Sequence, residues 1–90
     1  MTRARRLPVV DSYLEDGRAA VYAENGDVVA LSELASWAWS ALPEEWTPVA
    51  DVAAGLVAEF GEPDGIDPLA ATRATLQALA DHGLAELDDS

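Results

Sequence analysis

The chain contains no cysteine. That removes disulfides, thiolate metal sites and a cysteine nucleophile together, and it agrees with a reducing compartment. Histidine is nearly as scarce. His82 stands alone, so no second imidazole is available to complete a transition-metal site. It sits one residue before Gly83, where a helix-terminal histidine meets the negative end of the helix dipole. Positive charge is also short. Five arginines face seventeen Asp and Glu, for a net charge of −12. Arg3, Arg5, Arg6 and Arg18 lie near the start, and Arg73 stands alone later. Such a field repels phosphate and makes nucleic acid an unexpected partner. No run approaches the ~20 apolar residues of a membrane span. The basic start "MTRARRLPVV" lacks the apolar segment of a signal peptide. The expected location is therefore the cytoplasm, without membrane association. There is no Gly-rich phosphate loop. "GEPDGID" lacks the alternating ligands and closing glutamate of a calcium loop. Glu44-Glu45 and Asp88-Asp89 read as solvated surface rather than catalytic pairs. Neither an enzyme activity nor a metal nor a cofactor is expected.

What is present is a clear order of elements in 90 residues, the size of one domain and a small core. Asp16-Gly17 and Asn25-Gly26 are type I′ hairpin dipeptides. They divide "PVVDSYLE", "RAAVYAE" and "DVVAL" into a three-stranded antiparallel meander. Two-residue turns set Tyr13 opposite Ala20 and Leu31, and Asp11 opposite Tyr22 and Val29. The face with Tyr13, Ala20, Tyr22, Val29 and Leu31 has the bulk and is expected to meet the helices. The face with Ser12, Val21, Ala23, Val28 and Ala30 is expected to be partly solvated.

Three helices follow the strands. Ser32 caps the first and Pro43 stops it. Leu34, Ala35, Ala38 and Leu42 form its stripe, with Trp37 and Trp39 on either side. Thr47-Pro48 opens the second helix, whose stripe runs Val49, Val52, Ala53, Leu56, Val57 and Phe60 to a stop at Gly61. Asp67-Pro68 opens the third, with Leu69, Thr72, Leu76, Leu79 and Ala80 on one stripe and Gly83 as its end. "LAEL" beyond it is a short extended tail. The fold class is α+β and winged-helix-like, a three-stranded meander followed by three helices. Two functions that such a chain permits fit poorly. A DNA-reading winged helix needs several basic or amide side chains on its recognition helix, and the third helix offers Arg73 and Gln77. An acyl carrier protein needs an Asp-Ser pair opening a helix; Asp11-Ser12 lies in a strand and Asp89-Ser90 at the chain end.

The order and spacing of Leu31-Ser32, Ala35, Trp39, Leu42, Thr47, Val52-Ala53, Leu56, Phe60-Gly61, Leu76, Leu79 and Gly83-Leu84 resembles the PqqD-like peptide chaperones, also called RiPP recognition elements. The resemblance covers about Val9 to Leu87, nearly the whole chain, as one leader-binding domain. Ser32 stands where the family usually has Asn, and both residues cap a helix. Ala38 stands where a branched residue is common, with Trp37 beside it to fill the volume. The resemblance implies binding of the leader segment of a ribosomally made precursor peptide. The leader adds as a strand to the third strand, packs against the third helix, and is presented to a modifying enzyme or a leader peptidase. Free-standing proteins of this kind are similar to those of lasso-peptide and radical-SAM pathways.

The residues themselves point the same way. The third strand of a meander has one free edge, and natural edges carry Lys, Pro or a bulge for protection. "VVAL" has none of these. An edge of this kind is open to a peptide, to a tail of the chain, or to a second copy in a weak homodimer. The expected peptide site is Val28, Val29, Ala30 and Leu31 on the strand, with Thr72, Arg73, Leu76, Gln77 and Ala80 on the third helix. Arg73 is its candidate partner for a leader carboxylate. Trp39 is assigned to the core, while Trp46 in "PEEW" is either a staple over the second helix or a partner contact.

Overall fold

The first hairpin forms where Asp16-Gly17 predicts it, with φ of 53° and 78° at the two turn residues. The computed structural model describes residues 2–89, and its elements run β1 (Arg3–Arg6), β2 (Val9–Glu15), β3 (Arg18–Ala23), β4 (Val28–Ala30), α1 (Glu33–Ala41), β5 (Thr47–Pro48), α2 (Val49–Phe60), α3 (Pro68–Asp81) and β6 (Ala85–Asp88). Strands β2-β3-β4 form the expected antiparallel meander, and the helices follow it. The α+β architecture is therefore present. Beside the meander lies a second sheet, ordered β5-β1-β6.

The second hairpin differs from its prediction. Ala23 N–H donates to Asp27 O at 2.9 Å, so the loop is Glu24-Asn25-Gly26, three residues rather than two. Only Gly26 has a positive φ there, +92°. This is the three-residue form with glycine in the left-handed position. The extra residue shifts β4 by one, pairing Ala20 with Ala30, Val21 with Val29 and Tyr22 with Val28. The expected pairs Tyr13 with Ala20 and Asp11 with Tyr22 do form in the first hairpin.

The buried face is as expected on β4, where Val29 and Leu31 turn inward, and is a correction on β2 and β3. Ala19, Val21, Ala23, Val29 and Leu31 are in the core, while Tyr13, Tyr22, Val28 and Ala30 face outward. The small alanines are the reason. They let α1 approach until Ser36 Oγ accepts a hydrogen bond from the Ala19 N–H at 2.7 Å. Tyr13 and Tyr22 would hold the helix away, and instead pack edge to face at 5.7 Å on the open side. β2 lies beyond the helices, and its residues from Val10 to Glu15 are exposed on both faces.

The helix boundaries follow local chemistry. Ser32 caps α1 by accepting from Ala35 N–H. α3 closes in a Schellman turn: Leu84 N–H reaches Leu79 O, Gly83 N–H reaches Ala80 O, and Gly83 has φ +77°. Leu79 and Leu84, brought together there, are both fully buried. Thr47-Pro48 does not open α2 as a cap. It pairs with β1 as a short strand, and the helix begins at Val49 without a side-chain cap. Trp39 lies in the core, and its indole N–H donates to Leu84 O at 3.2 Å.

The second sheet joins the two ends of the chain. β1 has no apolar alternation; charge and one aromatic ring hold it in place. Arg3 pairs with Asp88 at 2.6 Å and Arg5 with Glu86 at 3.3 Å. Both guanidinium groups also lie over Trp46, at 5.6 and 4.8 Å from the ring centre. Each ion pair at such exposure is worth only ~0–1 kcal/mol. The buried Ala4, Leu84 and Ala85 beneath supply the apolar part of the hold.

Candidate functional site

Backbone geometry decides which groups of β4 are free. Leu31 N–H donates to Ala19 O at 2.8 Å, and Ala23 N–H to Asp27 O at 2.9 Å. These bonded pairs bracket the Val21–Val29 pair in the same register. Bonded and non-bonded pairs alternate in an antiparallel ladder. Val29 therefore turns its N–H and C=O to β3, while Val28 and Ala30 turn theirs outward. Among the described residues no strand pairs with that outer side. The chain's ends, which were candidates to cover it, pair with each other as β1 and β6.

Beside this edge lies a cavity of about 280 Å³. Val29, Ala30 and Leu31 form one wall, Leu34 and Ala35 of α1 the floor, and Thr75, Ala78, Leu79 and His82 of α3 the other wall. No carboxylate lines it, which sets it apart in a chain of net charge −12. Leu34 and Thr75 also border a second, more apolar cavity of about 170 Å³. That one runs on between α2 and α3, past Leu56, Phe60, Pro63 and Pro68. The two form a continuous apolar floor running from the free edge along α3.

The structure brings together Val29, Ala30 and Leu31 at the cavity, with Val28 on the same edge and 61% exposed on the outer face. It divides the residues expected from α3. Thr72 and Leu76 are buried in the core, and Thr72 borders the second cavity. Arg73, Gln77 and Ala80 lie outside both cavities. The Arg73 guanidinium donates to both oxygens of Asp89 at 2.8 Å. Those bonds, with a further one from the Thr2 hydroxyl, hold the Asp89 carboxyl below its usual range. Gln77 donates to Asp81 at 3.1 Å. The α3 face beside β4 is one that sequence reasoning missed: Thr75, Ala78, Leu79 and His82. Leu79 stood in the predicted stripe, and His82 was placed correctly at the helix end. No signal in so alanine-rich a helix says which side turns to the strand.

Among the described residues no group of three or more His, Asp and Glu is placed to hold a metal ion. No described helix is long and apolar enough to cross a membrane.

Comparison with known proteins gives two findings. The sequence model of the family described as coenzyme PQQ synthesis protein D (PqqD) matches residues 17–85. The structure is similar to that of TbiB1 in complex with the TbiA(beta) leader peptide, with a TM-score of 0.69 and 23% identity over 91% of this chain and 94% of that one. No curated protein matches the chain.

Proposed function

The chain belongs to the PqqD family, and from that membership and the open edge of β4 we propose that it binds the leader segment of a ribosomally made precursor peptide. The leader adds as a fourth strand beside β4 and sets its apolar side chains on the floor between β4 and α3. The observation that carries this is the outward N–H and C=O of Val28 and Ala30, standing unpaired beside an uncharged apolar cavity. The likeness to a protein whose structure holds a leader peptide supports the same reading.

The energetics say how the work is shared. Two outward residues offer four backbone bonds, worth ~0.5–1.5 kcal/mol each net. Ordering a disordered peptide costs ~2–5 kcal/mol or more, which nearly cancels them. Each large apolar side chain buried on the floor adds ~1.5–3 kcal/mol. Affinity and specificity therefore come from side-chain anchors, and the strand supplies register and direction. The peptide-binding set is Val28, Val29, Ala30 and Leu31 with Leu34, Ala35, Thr75, Ala78, Leu79 and His82. Thr72 contributes at the second cavity.

In this reading the protein holds and presents, and a modifying enzyme or leader peptidase does the chemistry on the bound precursor in the cytoplasm. Nucleic acid has no place in it, since a net charge of −12 repels phosphate. Fluorescence anisotropy with a labelled leader of the cognate precursor tests it. Saturable 1:1 binding, competed by unlabelled leader and not by the core peptide, is expected. A leader that fails to bind the folded protein would refute it.

A further inference from the structure

Another side of α1 carries a second feature, which meets the leader floor only at Phe60. Under the overhanging β2 lies an open cavity of about 310 Å³. Leu14 forms its roof, Trp37 and Phe60 its floor, and Glu33 and Glu59 its rim. Helical spacing puts Glu33 and Trp37 on the face of α1 turned away from Ala35 of the β4 groove, with Leu34 between the two faces. The β4 groove and this cavity share no lining residue, while Phe60 borders both this cavity and the one between α2 and α3.

The floor is built with care for one ring. Trp37 lies so close to α2 that a Cβ on Gly55 would stand 2.7 Å from its Cη2. A glycine in mid-helix costs ~0.5–1 kcal/mol relative to alanine, and here it seats the half-buried indole. Phe60 meets that indole edge to face at 6.3 Å. Yet the surface is left open: Leu14 is 73% exposed and Phe60 41%.

Charge identifies the occupant. Glu33 and Glu59 are in no ion pair among the described residues, and no cation lines the cavity. Arg3, Arg5 and Arg73 are held by carboxylates at the β6 end. Arg6 lies over Trp39, and Arg18 borders a neighbouring cleft that Glu33 also lines, with no ion pair between the two. An apolar floor with two carboxylates at its rim, neither in an ion pair among the described residues, fits a long cationic side chain, whose methylene stem packs while its head stays at the wet edge. A guanidinium is further favoured over an indole face.

We propose that this cavity is a second protein-docking site, taking an arginine from a basic segment of a partner protein, with its stem between Leu14, Trp37 and Phe60 and its head between Glu33 and Glu59. The proposal does not depend on leader binding.

The test uses the whole protein and a defined probe, the peptide acetyl-Leu-Arg-Leu-amide, against its isosteric citrulline counterpart. Two exposed ion pairs and one cation–π contact together give a preference of about tenfold for arginine. Two-dimensional NMR should show the arginine peptide moving the Trp37 indole and the Gly17, Glu33 and Glu59 amides, with the citrulline peptide about tenfold weaker. Val28 to Leu31 should not move. The Glu33→Gln/Glu59→Gln double variant should lose the preference, and Leu14→Ser, an exposed change that spares the core, should weaken both peptides. Equal binding of the two peptides would overturn the proposal, as would shifts spread evenly over Glu24, Glu44 and Glu45, or an unchanged double variant. Concentration-dependent shifts of Trp37 without peptide would assign the cavity to a second copy of the chain, and would overturn it too.

Discussion

Replacing Ala30 by proline tests the edge of β4 at a single donor. The Ala30 N–H points away from β3, so the change leaves the ladder of the meander intact. Its side chain is exposed, and an edge strand accepts proline on its solvent side. Val29, the residue before it, is already extended, as a pre-proline residue prefers. The fold should therefore survive. In the complex the leader carbonyl that faces residue 30 loses its donor and meets a ring carbon instead. Leaving a desolvated acceptor unpaired costs ~1–3 kcal/mol, or roughly 5- to 150-fold in Kd. Val29→Pro is the control. It removes a donor to β3 and disturbs a side chain that is 8% exposed, so its melting temperature should fall sharply. Binding is read by anisotropy with the labelled leader and folding by circular dichroism. An Ala30→Pro variant that is folded and binds the leader as the parent does would refute strand addition at this edge.

Three further outcomes follow from other contacts. Gly55→Ala gains ~0.5–1 kcal/mol of helix propensity and forfeits an aromatic pair worth ~0.5–1.5 kcal/mol; thermal stability should change little while the Trp37 indole resonance moves, and a clear stabilisation with an unmoved resonance would contradict the 2.7 Å approach. Trp39→Phe removes the indole donor from Leu84 O, which keeps the Leu7 N–H at 3.1 Å, and should cost ~0.5–1.5 kcal/mol by denaturant titration; a neutral result would show the bond to be idle. Asp89 is held below the usual aspartate value of 3.8 by Arg73 and then Thr2, so its stabilising contribution is present above that value and disappears as pH falls through the lowered one. In an NMR titration the midpoint of its carboxyl should rise toward the usual value in Arg73→Gln, with Thr2 still bonded, and an unchanged midpoint would disprove the cause.

The sequence was most legible where a single residue forces the backbone. Asp16-Gly17, the Ser32 cap, and the Gly61 and Gly83 stops all stand where local chemistry put them. Asn25-Gly26 misleads because the same dipeptide also serves a three-residue loop, and one residue shifts the whole register of β4. The inverted face of β3 has a different origin. Bulk suggested Tyr13 and Tyr22 for the core, but the close seat of α1 against Ala19 needs small residues. At the candidate site the strand was readable and the helix was not. Alanine on several sides of α3 leaves its periodicity without direction. The β1–β6 pairing had no local signal, since Arg3 and Asp88 are far apart in the chain. An arginine-rich start set against an acidic end was the one clue available.

The central claim is that β4 receives a peptide strand, and residue-resolved amide exchange with and without the cognate leader tests it most directly. In the free protein Leu31 should exchange slowly, bonded to Ala19, and Val29 slowly beside it, while Val28 and Ala30 exchange fast. On leader binding Val28 and Ala30 should gain protection, completing the row. If these two amides stay fast in a saturated complex while another surface becomes protected, the peptide binds elsewhere and the account is wrong.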